Sequence, residues 1–389
     1  MRATYISRMP VSSKTIPAIP ARVRLEIRLA AIRRNFLRIA RAVKPAQVMA
    51  VLKADAYGLG MLPVATLLAE AGADRFGVAE ASEAVALKKR FPRLPVQILS
   101  GLLEHEVGPC VRHGIICPVS DEAMARVLSR EAVARRKTVT IHIKVDTGMG
   151  RLGIPHAEAF DAIRRIAALP GLRLEGICSH FASANLPRNG QSREQIRRFR
   201  GLLEELKATG LEFPLVHMAN SDGINNFPEA WFNLVRTGIN LYGVFDLQGN
   251  RAYHLVPSLT LSTTLMQRRL LPAGSTIGYG GTHTLFRETW VGTIPVGYAD
   301  GVPLAASNSG RVLIRGQECP VIGRVSMDYI TVDLTACPNA RVGDKVILVG
   351  KSGGKEFTIE DWARIKQTHP YDIICSLGKR VERVYVGGQ

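Results

Sequence analysis

Eight short apolar segments recur in the first two thirds of the chain, and segments of helical length and periodicity lie between them. The apolar segments lie near residues 47–52, 75–79, 95–99, 115–119, 138–145, 173–179, 214–218 and 232–236. Parallel strands that alternate with helices in this way close into a cylinder with the helices outside. The alternation therefore predicts an α/β fold, a (β/α)8 barrel of the TIM type.

One of the intervening segments, SREQIRRFRGLLEELKATG, carries helix start and stop signals. Ser192 and Gln195 have the spacing of a capping box, and Gly210 is placed to end the helix. The apolar stripe between them consists of Ile196, Phe199, Leu203 and Leu206. We therefore expect an amphipathic helix here.

The pattern changes after about residue 250. Runs such as ETWVGTIPVGYADG, GRVLIRG and DKVILVG favour strands, Gly, Pro and Asn turns separate them, and a single helix signal, TIEDWARI, interrupts them. We expect a loose basic tail at 1–21, the barrel at 22–250 and a mainly β domain at 251–389.

The charge of the chain bears on its partners. The 389 residues carry a formal net charge of +18, but Lys and Arg are spread along the chain rather than gathered in one block. Arg33, Arg34, Arg38 and Arg41 fall mostly on one face of a predicted helix, which is the usual pattern of a solvated face. We expect no nucleic-acid partner, and an anionic small molecule instead.

Targeting and redox signals are weak. There is no run of about 18 apolar residues, so we expect no membrane span. The first twenty residues are basic but contain no continuous apolar stretch, which disfavours secretion and leaves a transit peptide as an alternative. Six scattered cysteines form no C-x-x-C pair, so neither a metal site nor a disulfide framework is indicated. A cytoplasmic protein fits these features.

Polar residues follow several predicted strands at their carboxyl ends, where barrel enzymes carry their chemistry. In chain order they are Lys53, Arg151, His180, His217, Ser221, Arg236 and Gly238. The loops after strands seven and eight are the usual phosphate site of this fold. Ser221 and the amides around Gly238 and Ile239 are therefore predicted to bind a phosphate.

Each of these residues also has an ordinary structural interpretation. A lysine after a strand is usually a surface residue, a lone histidine is usually a core residue, Arg236 could belong to an ion pair, and Ser221 could cap a helix. Their convergence on one rim favours a single site. A lysine opposite a phosphate site suits pyridoxal 5'-phosphate (PLP), which needs a Schiff-base lysine, a phosphate site and a partner for its ring nitrogen. We expect Lys53 to be that lysine and His180 to stack on the ring.

The motifs around these residues resemble those of the alanine racemase family over about residues 22–389. AVLKADAYGLG is similar to the family's PLP-lysine motif, which implies Lys53 as the Schiff-base lysine and Tyr57 as a phosphate ligand. KVDTGMGRLG resembles the motif whose arginine, here Arg151, contacts the substrate carboxylate and the catalytic tyrosine. Its lysine, here Lys144, is carbamylated in many members and holds that arginine in place.

Further motifs extend the resemblance into the second domain. LVRTGINLYG implies that Arg236 binds the pyridine nitrogen, with His217 behind it and Asn220 as a further supporting residue. IGYGGTH resembles the catalytic-tyrosine motif at Tyr279. IPVGYADG and GRVSMDYITVD resemble the segments that place Tyr298 and Met327 at the entrance of the partner subunit's site. The resemblance thus implies a homodimer with shared active sites.

The chain departs from the common family pattern at a few positions. Lys379 stands where some members have a tyrosine, so that particular contact is not carried over to this chain. The other departures replace an acid, a histidine, a proline and a cysteine, and they are Arg28, Leu59, Thr237 and Ser326.

The resemblance implies interconversion of L-alanine and D-alanine by two bases on opposite faces of the substrate, Lys53 and the partner's Tyr279, supplying D-alanine for peptidoglycan. A phenol has a reference pKa near 10, so this base needs neighbouring cations such as Arg151. A guanidinium at the ring nitrogen disfavours a second positive charge there, which favours racemisation over transamination.

Other functions stay open. A racemase of serine, of lysine or of a broader set of amino acids would use the same residues. A PLP-dependent decarboxylase usually has an acid at the ring nitrogen, which Arg236 disfavours. A non-catalytic PLP-binding barrel would lack the β domain that carries Tyr279.

Overall fold

A computed structural model describes residues 20–387 of the chain. The expected tail at 1–21 therefore lies outside the described residues, apart from its last two positions. The first elements are strand β1 (Arg24–Arg28) and helix α1 (Leu29–Ala42). Within 20–387 no helix combines the length and apolarity that crossing a membrane requires.

Eight parallel strands form the barrel, and a two-residue strand, β7 (Ile154–Pro155), pairs with its side. The barrel strands are β2 (Gln47–Val51), β3 (Arg75–Val78), β4 (Val96–Ile98), β5 (Cys117–Val119), β6 (Val139–Asp146), β8 (Leu172–Cys178), β9 (Leu215–His217) and β10 (Leu234–Thr237). They pair in the orders β10-β2-β3-β4 and β5-β6-β8-β9. A bridge from Gln97 to Ile116 joins β4 to β5, and the Arg236 amide donates to Ala219 O at 2.9 Å beside β9. The predicted barrel is confirmed.

Helices connect these strands. They are α2 (Lys53–Gly58), α3 (Met61–Glu70), α4 (Ala81–Arg90), α5 (Glu104–His113), α6 (Glu122–Ala134), α7 (His156–Ala167), α8 (Gly190–Ala208) and α9 (Ser221–Asn226).

Helix α8 begins before the expected capping box. Asn189 caps it, since its side chain accepts a hydrogen bond from the Gln191 amide at 2.9 Å. Ser192 Oγ is buried with no partner among the described residues, and Gln195 instead donates to His180 O at 2.9 Å. The predicted cap was therefore wrong, because a better cap lies one turn upstream. The stop at Gly210, with φ +81°, is confirmed.

The rest of the chain is rich in strands. They are β11 (Leu259–Thr264), β12 (Gln267–Leu271), β13 (Thr276–Ile277), β14 (His283–Thr284), β15 (Thr289–Ile294), β16 (Arg311–Ile314), β17 (Gln317–Pro320), β18 (Ile330–Asp333), β19 (Lys345–Ser352), β20 (Lys355–Phe357) and β21 (Glu382–Val386). The largest sheet has the order β17-β16-β19-β11-β1-β21. Strand β1 thus pairs with strands that follow residue 250, antiparallel to β11 and parallel to β21. The division at residue 250 stays a prediction.

Two α-helices, not one, lie in the described part of this β-rich region. Helix α10 (Ile359–Lys366) is the predicted TIEDWARI segment, and a capping box between Thr358 and Asp361 starts it. Helix α11 (Pro370–Cys375) was not predicted. It lies against α2, and its Tyr371 reaches the barrel mouth.

Candidate active site

The segment after β2 turns in the left-handed sense. Ala54, Asp55, Ala56 and Tyr57 all have φ between 53° and 63°. Left-handed backbone costs about 1–2 kcal/mol for each residue other than glycine, so the surrounding structure must hold it. Asp55 does so, because its carboxylate accepts from the Met61 amide at 2.7 Å and its own amide donates to Glu83 at 3.0 Å. The turn leaves Lys53 and Tyr57 facing one cavity.

That cavity, of about 650 Å³, lies at the carboxyl ends of the barrel strands. It brings together most of the residues selected from the sequence: Lys53, Tyr57, Lys144, Arg151, His180, His217, Asn220, Ser221, Arg236 and Gly238. Ile239 is fully buried directly after Gly238 and does not line it. The roles given to these residues stay predictions, but their convergence is a fact of the fold.

Three of the predicted site residues lie elsewhere. Tyr279, Tyr298 and Met327, here called the tyrosine face, are 71%, 47% and 53% exposed, and none lines the cavity. The backbone ties two of these segments together, since the Tyr298 amide donates to Ser326 O at 3.0 Å. The described chain therefore presents these side chains outward, away from its own cavity.

The inner part of the cavity is cationic. Burial is the main cause that lowers the pKa of Lys53, and the charges of Arg151 and Arg236 lower it further. Burial also lowers the pKa of Lys144, whose Nζ donates to Leu99 O at 3.1 Å. A lowered pKa leaves more of a lysine uncharged near neutral pH, which is the state a nucleophilic or proton-accepting amine needs.

The phosphate corner predicted from the sequence is tightly built. The Gly238 amide donates to Ser221 Oγ at 3.0 Å, and Asn220 caps α9 through the Gly223 amide at 2.9 Å. A Cβ at position 238 would lie 2.0 Å from Tyr57 Oη, so only glycine permits this approach. A hydroxyl, a phenol and backbone amides thus meet in one place, as a phosphate requires.

Arg236 is fixed by four acceptors. Its Nη1 donates to His217 Nδ1 at 2.6 Å. Its Nη2 donates to His180 Nδ1 and Met218 O at 2.9 Å each, and to Ser179 O at 3.1 Å. The guanidinium therefore keeps its Nε–H without an acceptor among the described residues, and the residues present fit PLP.

Sequence reasoning missed Tyr371. This tyrosine of α11 lines the cavity with its ring centroid 5.9 Å from that of Tyr57, and burial raises its pKa. Tyr371 lies eight positions before Lys379, the position at which no tyrosine contact was carried over from the family. The signal was Pro370, a good first residue for a short helix.

Two carboxyl groups were also missed. Asp222 and Asp246 line the same cavity, and His369 Nδ1 lies 3.5 Å from Asp246. Burial and the charge of Asp246 raise the pKa of Asp222 to about 7. Nothing in the sequence around Asp222 marks it, since it sits within a helix start that reads as an ordinary cap.

Comparison with known proteins decides the family. The profile of the alanine racemase N-terminal domain matches residues 27–246, and that of the C-terminal domain matches residues 258–385. The chain belongs to the alanine racemase family. The alanine racemase of Syntrophobacter fumaroxidans is 43% identical over 359 residues, which cover 91% of this chain and 95% of that protein. The resemblance inferred from the motifs is confirmed.

Solved alanine racemases share the fold. The crystal structure of alanine racemase from D-cycloserine-producing Streptomyces lavendulae has a TM-score of 0.90 at 34% identity and covers 96% of this chain and 99% of that one. The alanine racemase from Bartonella henselae, solved with covalently bound pyridoxal phosphate, has a TM-score of 0.86 at 31% identity, with 94% and 100% covered. The barrel followed by a mainly β domain is thus the fold of the alanine racemase family.

Proposed function

We propose that this protein interconverts L-alanine and D-alanine with PLP bound covalently to Lys53. The observation that carries the proposal is the cavity in which Lys53, Arg236 and the Ser221–Gly238 corner converge, in a chain that matches both alanine racemase domains. When bound, PLP withdraws electrons from the substrate's Cα and makes its proton acidic. The residues of the chain have to bind and orient the substrate and to move that proton.

Lys53 is the first base. With the substrate bound to the cofactor, Lys53 would be free to act within the cavity, where burial together with the charges of two arginines lowers its pKa and so favours the neutral amine. A neutral amine accepts a proton from Cα on the face it lies against. Arg151, which lines the same cavity, is placed to bind the substrate carboxylate.

The second base is Tyr279 of a partner subunit. In a head-to-tail homodimer the tyrosine face of one chain covers the barrel mouth of the other, so each active site takes Lys53 from one subunit and a tyrosine from its partner. The 71% exposure of Tyr279 in a single chain supports this arrangement, because a catalytic phenol needs neighbouring cations to lose its proton, and the barrel mouth of a partner would supply them. Tyr298 and Met327 then lie at the entrance.

Arg236 favours racemisation over rival reactions. A carboxylate at the ring nitrogen would keep that nitrogen protonated, whereas a guanidinium with a free Nε donates to it and disfavours a second charge. Electron withdrawal by bound PLP would then be moderate, which would favour return of the proton to Cα. This supports a racemase over a decarboxylase.

The cellular role follows from the product. D-alanine is a building block of peptidoglycan, so we place the enzyme in the cytoplasm at the supply of that precursor.

A direct assay tests the function. The purified protein, loaded with PLP, is given each L-amino acid separately, and the D-product is measured by chiral chromatography. We expect D-alanine from L-alanine at the highest kcat/KM. A higher value for L-serine or L-lysine would transfer the proposal to another racemase, and CO2 release without D-product would replace it with a decarboxylase.

The site of attachment is tested in parallel. Borohydride reduction followed by peptide mapping should place the pyridoxyl group on Lys53. Label on Lys144, the other lysine that lines the cavity, would contradict the assignment.

A further inference from the structure

A row of polar side chains crosses the interior of the barrel below Arg236. It runs from the carboxyl end of β10 to the first residue of β3, and its members are Arg236, His217, His142, Glu175 and Arg75. The hydrogen bonds between successive members are 2.6, 2.9, 2.9 and 3.1 Å long. Barrel interiors of this fold are normally filled by layers of branched apolar side chains. A continuous polar row here therefore calls for a physical reason.

The backbone makes room for the row. A Cβ added at Gly176 on β8 would lie 2.4 Å from His142 Cε1, so the imidazole occupies space that any other residue at 176 would fill. His142 and His217 are both fully buried. The Arg75–Glu175 pair, at 3.1 Å, joins β3 to β8, which are not neighbours in the barrel, and thus crosses its interior. The row is built into the sheet.

The two ends of the row fix where every proton lies. A guanidinium only donates, so His217 Nδ1 must accept from Arg236 and the proton of that neutral ring must lie on Nε2. That proton is donated to His142 Nδ1, which places the proton of the second ring on Nε2 as well. Glu175 accepts it. The reverse order would aim an imidazole N–H at the guanidinium.

Charge and burial agree with this order. Burial is the main cause that lowers the pKa of both histidines, which keeps the rings neutral. The hydrogen bond from His142 and the charge of Arg75 lower the pKa of Glu175 to about 2, which keeps the carboxylate ionised. A neutral, singly protonated ring between a fixed donor and a fixed acceptor has only one tautomer available.

We propose that Glu175 and His142 are positioning residues. They act through His217 to keep the Arg236 guanidinium charged and in the orientation in which its free Nε would face the cofactor. Among the described residues no carboxylate contacts Arg236, and the row extends from it to the Glu175 carboxylate through two rings. Each ring passes the polarisation on, as a carboxylate behind a metal-bound histidine does. The inference rests on the proposed function, in which Arg236 would bind the ring nitrogen of the cofactor.

The alternative is that the side chains of the row only fill space in the barrel interior. A packing role depends on shape, whereas a positioning role depends on the charge of Glu175 and on the direction of the protons. Glu175→Gln separates the two, because it keeps volume and an acceptor oxygen and removes the charge.

Tautomers are measured first. Long-range 1H–15N NMR on the full-length protein labelled with 15N-histidine, with His142→Gln and His217→Gln to assign the signals, should show both rings neutral and protonated on Nε2 at pH 7. A proton on Nδ1, or a charged ring, in either residue would overturn the proposal. This measurement needs neither cofactor nor turnover, so it stands even where the proposed function fails.

The charge is tested next. Glu175→Gln should retain PLP, lower kcat by about 10-fold or more, change KM less, and convert more cofactor to pyridoxamine 5'-phosphate per turnover, because a less strongly held Arg236 proton is shared with the ring nitrogen. Glu194→Gln is the matched control: Glu194 pairs with Arg197 and Arg198 on the exposed side of α8, and its pKa is also lowered to about 2. That control should behave as wild type.

The outcomes separate cleanly. A Glu175→Gln protein overturns the proposal if its kcat and the amount of pyridoxamine 5'-phosphate it forms per turnover equal those of wild type. A variant that loses thermal stability but keeps both quantities overturns it as well. If the variant does not fold, the wild-type tautomers decide. If wild type itself does not racemise alanine, the proposed function fails while the tautomer result still reports on the row.

Discussion

The barrel mouth and the tyrosine face place the two proposed bases in opposite surroundings. Lys53 lies in a cavity among buried cations, on a backbone turn held by Asp55 and Glu83. Tyr279 lies on a surface with 71% of its area exposed. The residues around Lys53 form a complete cavity within a single chain, whereas the tyrosine face is an exposed surface that a partner would have to cover. A site shared between two subunits, as proposed above, would leave this contrast in each of them.

Removing Lys53 should have the largest effect. Lys53→Ala takes away both the covalent attachment and one base, so we expect activity to fall by on the order of 10³-fold or more. Tyr279→Ala should instead keep the covalent cofactor, because that side chain does not line the cavity. Absorbance of the bound cofactor before and after borohydride measures the difference. Covalently bound cofactor in the Lys53→Ala protein would contradict the role given to Lys53 at the barrel mouth.

Acid should destabilise the barrel mouth next most strongly. Burial lowers the pKa of His142, His180 and His217. Their folded-state pKa values lie below the unfolded value of about 6.5, so the unfolded chain binds protons that the folded chain does not. Their contribution is therefore complete above pH 6.5 and is lost as pH falls below it, by up to about 1.4 kcal/mol per pH unit for each ring. Urea unfolding at pH 8, 7, 6 and 5.5 measures the slope, and a flat profile would contradict neutral rings.

Tyr279→Phe should cause asymmetric damage. Lys53 remains, so in deuterium oxide one enantiomer of alanine should still exchange its Cα proton while the other exchanges about 10²-fold more slowly. Family resemblance assigns the tyrosine to L-alanine and the lysine to D-alanine. NMR of each enantiomer follows the exchange. Equal slowing of both enantiomers would indicate a single base.

A methyl group at the phosphate corner should weaken cofactor binding. In Gly238→Ala the new Cβ would meet Tyr57 Oη at 2.0 Å, and the phenol has to move. Overpacking of this kind costs about 1–3 kcal/mol, and 1.4 kcal/mol is tenfold in affinity, so we expect about 10-fold weaker PLP binding. Gly201→Ala, on α8 with nothing within 4 Å of its Cβ, is the matched control. Equal PLP affinity in both variants would show that the corner is not used.

The features that could be predicted from the sequence are those that short-range residue patterns determine. The eight strands follow from short apolar runs, and Lys53, Arg236 and Ser221 could be chosen because strand ends of a barrel converge. The left-handed turn after Lys53 could not be predicted, because AVLKADAYGLG consists largely of residues with no preference for positive φ. Tyr371 was missed because α11 has only six residues. The contacts from His142 to Glu175 and on to Arg75 depend on which strands face each other across the barrel.

Mixing two inactive variants tests most directly whether the barrel mouth of one chain and the tyrosine face of another form one site. The expected change in activity is the smallest of those predicted here. A Lys53→Ala chain and a Tyr279→Ala chain are unfolded together and allowed to reassemble. Random pairing makes roughly half of the dimers mixed. If each site takes one base from each subunit, a mixed dimer gathers both lesions into one site and leaves the other intact, so activity should recover to about a quarter of wild type. The matched control mixes Lys53→Ala with a Lys53→Ala, Tyr279→Ala double variant, in which no site can be intact. Recovery above that control requires a shared site. If both bases came from one chain, every site in the mixture would carry a lesion, and the two mixtures would be equally inactive.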